Sequence, residues 1–276
     1  SAPARVVVES FALAPSEQPA PAHAPIPAVL ADYAPVRGDA IQWFSSFDEA
    51  RGVSEAVNRP LLVFGFVPGC PWCKELRENQ FKDAAFLALA ERCVPVAIDL
   101  LALGEPQMLA IMDRGYPLIE LQTPLGEPVH VMSGPPGTVD LPVELARGLD
   151  GWPNDPPALA WSAANEMARI FARSVASERQ GRLSDAWRGF ETLRTSTQGS
   201  TLTLEGELGR ARIEQAARET LATARSRSTS EPEAAQVELE HALERFAGTP
   251  IEADLRRVLE SWRRSKHFPE LTARSS

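Results

Sequence analysis

The chain has 276 residues, enough for two domains or for one core with an appendage. Its formal charge of −9 at pH 7 argues against nucleic acid as a main partner, and no apolar run approaches the ~20 residues of a membrane helix. Three cysteines, two of them in a single C-x-x-C, are too few for a disulfide-stapled scaffold.

Residues 1–39 read as a tether. Between 12 and 37 the chain is rich in Ala and Pro (Pro15, Pro19, Pro21, Pro25, Pro27, Pro35), a composition that favours extended chain over a packed core. The chain opens on Ser1 without an initiating Met, so the expectation is a mature form whose targeting segment has been removed. Val6-Val7-Val8 is the one piece of this stretch suited to docking as a strand.

Periodicity changes after the tether. Ile41–Phe44 reads as a short strand, Ser46 as a helix N-cap, and Phe47, Ala50, Val53 and Val57 recur at helical spacing until Arg59-Pro60 breaks the pattern. The continuous apolar run Leu61–Phe66 suits a central strand covered on both faces. Pro68-Gly69 turns the chain into Cys70. A helix over Trp72–Asn79, a second capped by Asp83, and a buried strand Val94–Asp99 follow, then a short helix over 106–113. Leu118–Gln122 and Val129–Met132 read as a hairpin joined at 123–127, and a helix over Leu141–Leu149 closes the unit. Alternation of strands and helices implies a mixed sheet flanked by helices, an α/β fold over 40–150.

Gly151-Trp152-Pro153-Asn154-Asp155-Pro156-Pro157 is dense in breakers and marks a boundary. From 158 to 276 the pattern is helical throughout: Ala160–Glu178 pairs with Leu183–Leu193 through Gln180-Gly181, Leu202–Leu221 with Glu233–Phe246, and Ile251–Trp262 follows Gly248-Thr249-Pro250. This is a second, all-α domain of helical hairpins. Arg256, Arg257, Arg263, Arg264 and Lys266 are interleaved with acids and read as a solvated face.

The chemistry points to Cys70-Pro71-Trp72-Cys73. A thiol exchanges with a disulfide as its thiolate, and the start of a helix offers unpaired N–H groups and the positive end of the dipole to an anion. Cys73 lies one turn on along the same face, placed to resolve a mixed disulfide on Cys70. Pro71 suits the first helical position, where its missing N–H costs nothing. The C-x-x-C is equally half of a zinc site, whose other ligands would have to come from Cys93 and four scattered histidines, His23, His130, His241 and His267. A structural disulfide in so short a loop restrains little of the unfolded chain. Cys93, ahead of Val94–Ile98, reads as a small buried hydrophobe. His130 reads as a half-exposed strand residue, and Trp72 either as exposed contact area beside the thiols or as a cover over them.

The C-x-x-C at a strand-to-helix turn, with Gly115-Tyr116-Pro117 ahead of a strand, resembles the thioredoxin superfamily. Trp43, Ala50, Arg59-Pro60, Cys70-Pro-Trp-Cys-Lys74 and Val94–Asp99 resemble its bacterial exported or membrane-tethered subgroup. The resemblance covers residues 40–150. It implies a thioredoxin fold and thiol–disulfide oxidoreductase activity on protein disulfides, with Cys70 as nucleophile, Cys73 as resolving thiol and no cofactor. It also implies an extracytoplasmic location. Pro117 would be cis beside the thiols, Tyr116 would present its backbone to the incoming partner, and Gly134 would lie near the same surface. Cys70 is then expected to be at least partly exposed.

The sequence departs from that family at the proton relay. The position of the usual buried Asp, six residues before the first cysteine, is Phe64, and the partner lysine on the next strand is replaced by Ala97. Glu75, Glu78 or water remain as substitutes, and Lys74 adds charge close by or has no role. In the helical region, Ala176–Leu193 with Gly181, Ala186 and Phe190, and Leu239–Leu259 with Phe246 and Ala253, resemble degenerate tetratricopeptide repeats. That implies either a platform for a client protein or a cap on the sheet. The competing reading of the whole chain is a non-catalytic interaction scaffold.

Overall fold

The computed structural model describes residues 25–103, 117–132, 137–153, 156–197 and 199–264. The chain divides into two compact units, one running through Glu166 and taking in Gly199–Thr201, the other made of the remaining residues from Met167 onward.

In the first unit, Ser46 accepts the Glu49 N–H at 3.3 Å and starts helix α1, Phe47–Val57, with Asp48 and Glu49 in its first turn. It ends at Asn58, whose φ of 52° places it in the left-handed region that Asn tolerates. Strand β3, Leu61–Phe66, runs parallel to β4, Val94–Asp99, and antiparallel to β5, Leu118–Gln122. β5 pairs antiparallel with β6, Pro128–Val131, giving the order β4-β3-β5-β6, a mixed four-stranded sheet. Helix α2, Pro71–Glu78, and helix α3, Ala84–Ala90, follow β3, and Asp83 caps α3 by accepting from the Ala85 and Phe86 N–H groups. Leu62, Phe64, Ile119 and Leu121 share a core cluster with Leu76, Phe86, Leu141 and Leu145. Alternation sends Leu61 and Val63 to the other face, and α1 packs on β3 and β4.

Two expectations are corrected. Ile41–Phe44 is not a continuous strand: β2, Ala40–Ile41, pairs only with β1, Val36–Arg37, and Phe44 makes a lone parallel bridge to Val96. Phe44 bonds the Pro95 carbonyl and the Ala97 N–H, each at 2.9 Å. Pro95 faces that edge without an N–H, so the ladder cannot extend past it. The tether also ends earlier than 39. Ala28–Asp32 form a 3₁₀ turn with Leu30 buried. Tyr33 is buried as well, 4.6 Å from the Phe44 ring and 5.4 Å from Trp161, and its hydroxyl donates to the Gln42 carbonyl at 2.8 Å. Proline content indicates extended chain, but Leu30 and Tyr33 bring enough apolar area to dock it.

At the other end, the unit continues beyond 150 into the start of helix Trp161–Arg179. Trp161 Nε1 donates to the Glu91 carbonyl at 2.7 Å and its ring lies 5.0 Å under the Arg59 guanidinium. The helix expected over 106–113 lies outside the described residues.

The second unit holds helices Leu183–Ser196, Thr201–Arg227, Pro232–Arg245 and Glu252–Arg263 with the rest of Trp161–Arg179. Gly181, φ 74°, makes the turn of the first hairpin. Phe190 is fully buried over Gly209, where a Cβ would meet its ring at 2.5 Å. No helix among the described residues is long and apolar enough to cross a membrane.

Candidate functional site

β3 delivers the chain to the thiols. After Phe66 a turn closes with Cys70 N–H donating to the Val67 carbonyl at 3.1 Å, and Gly69 at φ 79° takes the left-handed step. Cys70 is then the N-cap of α2: its backbone is extended, Pro71 occupies the first turn, and its Sγ accepts the Cys73 N–H at 3.2 Å. The Cys73 thiol also hydrogen-bonds to Cys70, so Cys70 Sγ is the acceptor and Cys73 the donor of the pair. Burial, then that bond, pushes the Cys73 thiol up to about 11, while the Val67 backbone and the Arg77 charge act the other way. Both are free thiols.

Cys70 is 8% exposed and Cys73 4%, so Cys70 is less open than expected. It nonetheless lines a cavity of about 610 Å³ with Cys73, Val67, Pro68, Lys74 and Arg77. Of the two readings of Trp72, its 54% exposure favours contact area.

The register places the relay positions side by side, with Phe64 and Ala97 as partners on β3 and β4. No carboxylate stands there. The Phe64 ring lies 5.0 Å from Phe81, 5.6 Å from Phe66 and 5.7 Å from Trp43. The acidic substitutes are engaged elsewhere: Glu78 is 3.8 Å from Lys74, and Glu75 accepts from Gln80 at 3.4 Å.

The residue that spacing alone did not single out is Arg77. It sits four positions after Cys73, hence on the same helix face, and its guanidinium lies 4.2 Å over Phe66 and 5.3 Å over Phe64. The i,i+4 step was the available signal; the rings that hold it come from another element.

Pro117 is buried just ahead of β5. Because Leu118 is the register partner of Gly65 and the strands are antiparallel, it lies at the end of the sheet where β3 feeds Cys70. Tyr116 and Gly134 lie outside the described residues. His130 is half-buried on β6 and meets Glu144 at 2.9 Å, which with Arg147 holds that carboxyl below its usual range. Cys93 is fully buried in the core. Among the described residues no three His, Cys, Asp or Glu side chains are grouped to hold a metal ion.

The chain matches no protein-family model and no curated protein.

Proposed function

We propose that the chain is a thiol–disulfide oxidoreductase of thioredoxin type acting on protein disulfides, extracytoplasmic in location, with Cys70 as nucleophile and Cys73 as resolving thiol. The observation that carries this reading is the asymmetry of the pair. Both thiols are buried on the wall of one cavity, but Cys70 Sγ caps a helix and accepts the Cys73 N–H, while burial and the Cys70 side chain push the Cys73 thiol up to about 11. The mixed sheet flanked by helices, with the C-x-x-C at the strand-to-helix turn and Pro117 at the same end, agrees with that fold.

In the forward direction Cys70 thiolate attacks a partner disulfide. A Cys70–partner bond forms, the partner S–S bond breaks, and its leaving thiolate takes a proton from water. Cys73 then loses its proton to solvent and attacks Cys70 Sγ, so the Cys70–Cys73 disulfide forms as the partner leaves. The partner gains two electrons and the protein dithiol loses them. The potential of the pair against its partner sets the direction.

Cys73→Ser blocks the second step, and discrete disulfide-linked adducts on Cys70 are the expected outcome, resolved by non-reducing electrophoresis and mass spectrometry. The burial of both thiols favours the second reading, a non-catalytic scaffold. That reading holds instead if no adduct forms and the wild-type pair also fails to equilibrate with glutathione buffers.

A further inference from the structure

We propose that Arg77 is the positioning residue of the resolving step: its guanidinium, held on the Phe64 and Phe66 rings one turn beyond Cys73, stabilises the Cys73 thiolate electrostatically in a site whose relay position holds no carboxylate. The inference rests on the thiol-exchange reading above and names what replaces its missing proton relay.

Three observations meet here. Arg77 and Cys73 are four residues apart on α2 and line the same cavity. Ring stacking at 4.2 and 5.3 Å fixes a side chain that otherwise samples many rotamers. Among the described residues no carboxylate forms an ion pair with the guanidinium, and Glu78, the acid on the same cavity, is paired with Lys74. It also lines a second cavity of about 410 Å³ with Trp43, Phe81, Lys82 and Asp39.

Among the described residues, the charged or titratable groups around Cys73 are Cys70, Lys74, Arg77 and Glu78 on the shared cavity, with Lys74 and Glu78 paired at 3.8 Å, while Lys82 and Asp39 lie across the second cavity. The strands and helices of its core cluster offer Phe64, Ile119, Leu121, Met132, Leu141 and Leu145, all apolar. A cation beside a desolvated thiol favours its thiolate through space, without accepting the proton. The proton goes to solvent water, and the S–S bond forms and breaks as in the exchange above.

Two measurements test this. In a Cys70→Ser background, iodoacetamide alkylation of Cys73 is followed against pH with Arg77, Arg77→Met and Arg77→Lys. The midpoint is expected to rise by about one pH unit in Arg77→Met and to be largely restored in Arg77→Lys. In the full thiol pair, with glutathione as the probe on Cys70, resolution at pH 7 is expected to slow about threefold in Arg77→Met. The thiolate fraction falls about tenfold, but a more basic thiolate is a better nucleophile. An unchanged alkylation profile overturns the role of Arg77. Failure of the wild-type protein to form or resolve the glutathione adduct, with a shifted alkylation profile, overturns the exchange reading and leaves the electrostatic coupling standing.

Discussion

Cys93 has no exposed surface, donates from its Sγ to the Leu89 carbonyl at 3.8 Å, and is pushed by burial up to about 12, with Arg59 and Arg92 pulling the other way. In the unfolded chain the thiol returns to about 8.5. Between those values the unfolded state binds fewer protons than the folded one, so the stability that Cys93 contributes is complete below about pH 8.5 and is lost as pH rises toward 12. Cys93→Ala removes that linkage. Urea unfolding at pH 7.5 is expected to show a loss on the order of 1 kcal/mol from the missing sulfur, and the gap to the wild type is expected to close and then reverse by pH 10. Curves that stay parallel from pH 7.5 to 10 would mean that Cys93 does not titrate on unfolding. Cys73 titrates in the same window in both proteins and cancels from the comparison.

Helix contacts in the second unit are set by small residues. At Gly206 a Cβ would lie 2.6 Å from the Phe190 carbonyl and 2.8 Å from the Arg194 N, both backbone atoms that cannot rotate away. Gly206→Ala must therefore push the two helices apart, and a loss of about 1–3 kcal/mol is expected in urea unfolding followed by circular dichroism. Leu204→Ala on the same helix, at an exposed position, is expected to stay within about 0.5 kcal/mol. Equal losses would show that the contact at Gly206 yields. The local devices of these elements were legible in the sequence: Ser46 and Asp83 cap through atoms two or three residues away, and the apolar run of β3 marked a central strand. What was not legible depended on distant chain. Tyr33 looked like tether because Trp161, which covers it, is far along the sequence. The strand at Phe44 stops because of a proline on a different strand. Likewise α2 showed Cys70 and Cys73, but Arg77 gains meaning only when β3 lays two rings under it.

At the scale of the whole molecule, the described parts of the proposed exchange site lie in the first unit: both thiols, the cavity, Arg77 and the aromatic cluster. A small partner such as glutathione reaches only that cavity, whereas a protein disulfide brings a surface with it. If the helical unit presents clients, weakening it separates the two reactions. Phe190→Ala empties a fully buried position in that unit, and such a truncation destabilises by about 3–5 kcal/mol. The equilibrium constant of the Cys70–Cys73 pair with glutathione is expected to stay unchanged in this variant, measured by alkylation and mass spectrometry across a redox titration. Reduction of a disulfide-bonded protein such as insulin, followed by turbidity, is expected to fall severalfold. Equal retention of both activities would remove the helical unit from client handling. Loss of both would mean that the thiol pair depends on the helical unit for its own geometry, as expected of a cap rather than a platform.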